Sequence, residues 1–151
     1  MDMPVTDCVA ADTIIHTTKG DYTIEELVGT QGLCATYDEE TRVFRPASFV
    51  NVRKTRTFAE TVTLRLGDDL TVRCTPDHKF LEKTDGWIPA AMLLWKRTSR
   101  IMTEFGWSKV LGIDENHRRE DVFDLEVPET HNYVVNGGIV AHNNFFCRCH
   151  I

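Results

Sequence analysis

The run IVAHNN, residues 139–144, ends an apolar stretch in a histidine and two asparagines. An asparagine side-chain amide can attack its own backbone carbonyl, close a succinimide ring and break the peptide bond that follows, and a neighbouring histidine can supply the proton this needs. Here that chemistry would fall on Asn143, with His142 beside it and Asn144 as the leaving amine. Asn pairs also serve ordinary turns, because Asn tolerates φ > 0 and bonds local backbone groups, so the remaining residues must decide. Two other places carry suitable types. Cys8 stands ahead of the first expected strand in DCVAADTIIHTT, and CTPDHKF sets Thr75 and His78 three apart around Pro76, in a turn able to aim both at one point. Taken singly, each has a plainer reading: a small core cysteine, a structural histidine, an ordinary strand threonine.

The elements that would position these residues are strands. The stretches DTIIHTT, ATYD, RVFRPASFVNVRKT, ETVTLRL, DLTVRCT, DVFDLEV and NYVVN are short, rich in Val, Ile, Thr, Tyr and Phe, and many alternate apolar with polar. Turn signals separate them: KGD at 19–21, DEE at 38–40, LGDD at 66–69 and NGG at 136–138. A short helix is expected over TIEELVG, with Thr23 as N-cap, Glu26 completing a capping box and Gly29 at the end. A second is expected over IPAAMLLWK, where Pro89 sits near a helix start. The pattern predicts a compact all-β, mostly antiparallel domain with one or two short helices.

At 151 residues, 42% hydrophobic and 26% charged, the chain reads as one globular domain. A net charge of −6 without a basic stripe excludes nucleic acid and an anionic membrane as obvious partners. The N-terminal MDMPVTD leads into no apolar h-region and no 18-residue apolar run exists, so a cytoplasmic location is expected. The five cysteines, Cys8, Cys34, Cys74, Cys147 and Cys149, are odd in number and widely spread. That argues against a disulfide framework and for at least one thiol with a role. The CRCH cluster at 147–150 lacks the second ligand pair of a structural zinc site, so no metal is expected there.

In their order along the chain, DCVAADTIIHTT, CTPDHKF and DVFDLEVPETHNYVVNGGIVAHN resemble the sequence blocks of inteins and related HINT domains. That self-processing family also includes hedgehog autoprocessing domains and bacterial intein-like domains. The resemblance runs from Cys8 to Asn143 and is most like a mini-intein or bacterial intein-like domain without an inserted homing endonuclease. It implies a horseshoe-like HINT fold over 8–143, flanked by host-protein segments at 1–7 and 144–151. It also implies a monomer that works without a cofactor and has its own flanks as partners. By the family pattern, Cys8 is the nucleophile that attacks the Asp7 carbonyl to give a thioester. Thr75 and His78 hold and protonate the amide at that junction, Asp124 couples the two ends, and His131 and His142 assist cyclisation of Asn143.

One departure from the pattern sets the expected outcome. A splicing intein is followed by Cys, Ser or Thr, which accepts the acyl group. Here Asn144 follows and has no usable nucleophile, so cleavage at one or both junctions is expected instead of standard splicing. The alternatives are a splicing intein whose acceptor was replaced or displaced to Cys147, and a thiol protease acting in trans through Cys8, His78 and Asp124. On the self-processing readings, Cys8 and Asn143 must meet in space.

Overall fold

The computed structural model describes residues 7–95 and 99–143. Asn144, Cys147 and Cys149 lie outside the described residues. Among the described residues, twelve strands form a single antiparallel network. They are β1 (Val9–Ala10), β2 (Ile14–Thr17), β3 (Gly20–Thr23), β4 (Gly32–Asp38), β5 (Val43–Leu66), β6 (Thr71–Cys74), β7 (Lys79–Glu82), β8 (Gly86–Pro89), β9 (Arg100–Thr103), β10 (Gly106–Glu126), β11 (Asn132–Val135) and β12 (Ile139–His142). The all-β expectation holds.

The frame is the pair β5 and β10, 24 and 21 residues long. At about 3.3 Å per residue a straight β5 would span roughly 80 Å, whereas a domain of this size has a radius of gyration of about 15 Å. The strands therefore bend. Their register runs from Val110 opposite Leu66 to Glu126 opposite Val50, with five shifts on the way. Asn51 and Phe58 in β5 take positive φ of 54°. Such bulges add local bend and twist, and they curl one long ribbon around the core. RVFRPASFVNVRKT and ETVTLRL are thus parts of a single strand, and DVFDLEV is the last part of another.

The expected helices shrink to 3-10 turns. Glu25–Leu27 is a single turn. Its capping box does form: the Glu26 N–H donates to Thr23 Oγ1 at 3.2 Å and the Thr23 N–H to Glu26 Oε1 at 2.8 Å. The chain then turns extended at Val28, with ψ 129°. Ala90–Trp95 follows β8 directly. Its first N–H groups donate to His78 O (2.7 Å) and Pro76 O (3.0 Å), which ties it to the TPDH turn. Both are short, the length at which 3-10 turns commonly serve as connectors.

β11 and β12 form a hairpin, Asn132 opposite His142 through Val135 opposite Ile139, closed by Asn136 and Gly137 at positive φ. The hairpin is apolar on both faces because both are covered. Tyr133, Val135, Ile139 and Ala141 enter the main core, while Val134 and Val140 pack with Tyr37 and Met102 on the other side. Asn132 begins β11 wholly buried. Its amide accepts from the Tyr37 N–H and donates to the Tyr37 carbonyl, both at 2.8 Å.

Asn132→Ala strips both partners from the Tyr37 backbone. It should destabilise a processing-blocked Cys8→Ala/Asn143→Ala protein by about 2–4 kcal/mol, since each orphaned buried group costs about 1–3 kcal/mol. Urea unfolding measures this, and an unchanged midpoint would contradict it.

Candidate active site

Register brings the chemical residues together. β1 lies between β6 and β10, with Val9 opposite Cys74 on one side and Phe123 on the other. One position earlier, Cys8 therefore falls between Thr75 and Asp124. On the other side of the site β12 pairs with β7, Ala141 opposite Phe80, so His142 comes to Lys79 and the neighbouring His78.

Cys8 is fully buried. Its Sγ lies 3.0 Å from Thr55 Oγ1, and the Thr55 hydroxyl donates to the Val122 carbonyl at 3.1 Å. The Thr55 oxygen is thereby left to accept the thiol proton. Burial pushes the thiol up to about 11; the Thr55 bond opposes this and the Asp124 charge adds to it. At neutral pH the resting group is a thiol and not a thiolate, and its proton must leave before the sulfur can attack. The Thr75 hydroxyl accepts from the Cys8 N–H and faces the Cys8 carbonyl, 3.3 Å from each, and the Thr75 N–H donates to that carbonyl at 2.9 Å. Thr75 is thus in contact with both backbone groups of Cys8.

The TPDH turn closes with the His78 N–H on Thr75 O at 3.0 Å. The buried His78 ring packs on Phe80, centroids 4.7 Å apart. Its Nδ1 lies 3.0 Å from the Lys79 carbonyl and its Nε2 has no partner. A carbonyl only accepts, so Nδ1 carries the proton and Nε2 is a bare lone pair. Burial lowers the group to about 4. At neutral pH His78 is therefore a neutral base, and it can act as an acid only after taking up a proton.

Asp124 is fully buried. Burial raises its carboxyl well above the usual range, opposed by the Arg53 guanidinium and by the Leu125 N–H. Arg53 Nη2 is 3.9 Å from Oδ2, and Arg53 Nη1 is 3.6 Å from Glu126.

The downstream residues arrive from the hairpin. The Asn143 N–H donates to His131 O at 3.0 Å and the His131 N–H to Val127 O at 2.9 Å. The Val127 N–H donates to Asn143 Oδ1 at 3.3 Å, which fixes which end of the carboxamide is oxygen; Nδ2 is buried without a partner among the described residues. His131 sits at φ 59°. With His142 and Trp87 it lines a cavity of about 430 Å³ whose wall also holds Glu39, Glu40 and Glu129. The His142 ring meets Trp87 edge-on, centroids 5.0 Å apart.

Asp7, counted as flank in the sequence, is part of this site. It is fully buried at φ 59°. Oδ1 accepts the Lys79 N–H at 2.8 Å, and Oδ2 lies 2.7 Å from His142 Nδ1 and 3.7 Å from Lys79 Nζ. Burial alone would raise its carboxyl, but the His142 bond, the interaction with the His78 and His142 rings and the Lys79 N–H together outweigh burial and hold it below the usual carboxylate range. Residues 135 positions apart thus touch, next to Cys8 on one side and Asn143 on the other. Thr55 and Arg53 also join the site with no motif in the sequence to mark them, and Lys79 and Val127 join it from within two of the quoted blocks. Cys34 and Cys74 are buried thiols pushed up by burial, Cys74 lying beside the site opposite Val9.

No family model matches the chain. A stretch of 91 residues, 56% of the chain, is 33% identical to part of a DNA gyrase subunit from Synechocystis sp., of which it spans 8%. Among solved structures, a DnaB intein from Synechocystis sp. matches with a TM-score of 0.82 at 25% identity, covering 91% of this chain and 99% of that one. A variant of the Ssp DnaB mini-intein matches at 0.85 and 24% identity, covering 97% and 100%. The bacterial intein-like domain from Clostridium thermocellum matches at 0.76 and 21% identity, covering 91% and 99%. The chain has the HINT fold shared by inteins and bacterial intein-like domains.

The raised Asp124 carboxyl gives a signed prediction. Its folded form binds the proton more tightly than the unfolded chain does, so stability is lost as pH rises from about 4 through the folded value. Asp124→Asn removes that loss. In the processing-blocked protein its urea midpoint should exceed the parent's by a margin that widens between about pH 4.5 and about pH 7. A constant or shrinking margin would contradict the assignment.

Proposed function

We propose that the chain is an autocatalytic self-processing domain spanning 8–143, with 1–7 and 144–151 as its flanking partners, and that it cleaves at one or both junctions. The observation that carries this reading is the 2.7 Å contact between Asp7 and His142, which puts the upstream and downstream junctions in one centre. A trans-acting thiol protease needs room for a foreign strand beside its nucleophile, and the full burial of Cys8 and Asp7 leaves none.

At the upstream junction Cys8 Sγ attacks the Asp7 carbonyl carbon. The bond from that carbon to the Cys8 nitrogen breaks, giving a thioester and a free amine. The thiol gives up one proton and the departing nitrogen takes up one, so the step is proton-neutral overall. His78, neutral with Nε2 bare, suits both halves as base and then acid. Thr75 holds the amide, and Asp124 serves as the link between the two ends. At the downstream junction Asn143 Nδ2 attacks its own carbonyl carbon, expels the Asn144 amine and leaves a succinimide. The anchoring of Oδ1 by the Val127 N–H with Nδ2 unbonded supports this. His142 and His131 handle the proton that Nδ2 loses and the Asn144 amine gains. Asn144 cannot take the acyl group, so the thioester goes to water or added thiol.

His78→Ala should reduce thiol-induced cleavage before Cys8 by about 10²–10⁴-fold and affect the cut after Asn143 far less. Gel and mass analysis of a precursor with longer flanks reads both; equal losses would make His78 a folding residue. Asn144→Cys should turn part of the cleavage into ligation of the flanks. Efficient ligation by the unaltered protein would instead favour an acceptor such as Cys147, and unchanged downstream cleavage in Asn143→Ala would end the succinimide reading.

A further inference from the structure

Asp7 leaves the molecule with the upstream flank, yet its side chain is built into the site. A carboxylate at zero exposure persists only where donors surround it, and three do. They are the Lys79 N–H at 2.8 Å on Oδ1, with His142 Nδ1 at 2.7 Å and Lys79 Nζ at 3.7 Å on Oδ2. Two of the donors are fixed by the pairing of β7 with β12, so the pocket precedes its occupant. The occupant's backbone takes φ 59°, a region Asp enters more readily than most residues. An amide in its place would turn an NH₂ toward a donor, and a longer arm would overshoot the Lys79 N–H.

We propose that Asp7 is a positioning residue for the downstream cut: its carboxylate orients the His142 ring, and the site thereby selects an upstream flank that ends in aspartate. This rests on the reading that Asn143 cyclises with the help of His142. A carboxylate accepts only, so the bond at Nδ1 places a proton there and leaves Nε2 as the nitrogen free to exchange one. The ring is braced further by Trp87 at its edge. Carboxylate–histidine pairing of this kind fixes tautomer and orientation in catalytic triads. Here the carboxylate belongs to the segment being released. The Asp7–Cys8 thioester keeps Asp7 in place, whereas hydrolysis or thiol attack removes it. The downstream cut is therefore fastest while the upstream flank is attached, which orders the two cuts without any acceptor residue.

The test uses a Cys8→Ala precursor with folded flanking domains, in which Asp7 stays attached, and follows the cut after Asn143 in single turnover. Asp7→Asn should slow that cut about tenfold to a hundredfold, the range for losing a charged hydrogen bond, and should abolish the strongly downfield Nδ1 proton signal of His142. Added formate should restore the rate of Asp7→Gly in a saturable manner and leave the parent unchanged. A thermal melt of each variant reports folding. If the parent cuts and Asp7→Asn keeps pace with it, or if Asp7→Gly is slowed without formate rescue, the proposal is overturned while the succinimide reading stands. If the Cys8→Ala parent does not cut after Asn143 at all, both fall together.

Discussion

The bond between the Asp7 carboxylate and the His142 ring is made by two residues that flank opposite ends of the same domain, and the layout of the sheet follows from having to make it. β1 is only two residues long, too short to place Cys8 by itself, and is held on both edges by β6 and β10. The downstream end arrives by the β11–β12 hairpin, a rigid delivery element because both of its faces are buried. Between them the TPDH turn supplies the Lys79 N–H that completes the Asp7 pocket. If any of these three were displaced by a residue, the strand alternation would carry the side chains to the wrong face.

The centre so formed is poorly satisfied as a protein interior. Among the described residues His78 Nε2, Asn143 Nδ2 and the Tyr133 hydroxyl are buried without partners, and Asp124 sits at zero exposure with the Arg53 guanidinium 3.9 Å away. Asp7 and His131, beside the two junctions, both take positive φ. Buried polar groups without hydrogen bonds and strained backbone cost free energy, and a fold retains them where chemistry uses them. The apolar contacts of the main core and of the second cluster behind the hairpin offset that cost.

Proton placement follows from the same burial. A thiol pushed up to about 11 and a histidine lowered to about 4 leave both groups neutral at physiological pH, so neither is ready to react alone. On the proposed mechanism, a proton therefore has to be moved off the Cys8 sulfur inside the folded site before attack. A general acid–base group works best near the ambient pH, and His78 reaches that range only if its surroundings change during the reaction.

The all-β character was legible in the alternation and turn residues, and so were the turn at 136–138, the TPDH turn and the Thr23–Glu26 box. Each rests on neighbours within a few positions, which local sequence encodes. The ordered blocks also marked Cys8, Thr75, His78 and Asn143. The segments 79–89 and 100–120 were not legible as strands: they are short or polar on exposed faces, and pairing with β12 and β5 makes them strands. The same holds for the fusion of two expected strands into β5, since only wrapping around a core demands one bent ribbon. Asp7 looked like flank because nothing local distinguishes it. It becomes part of the site through residues 72 and 135 positions away, and long-range register of that kind is decided by burial of the whole sheet, which no short stretch of sequence contains.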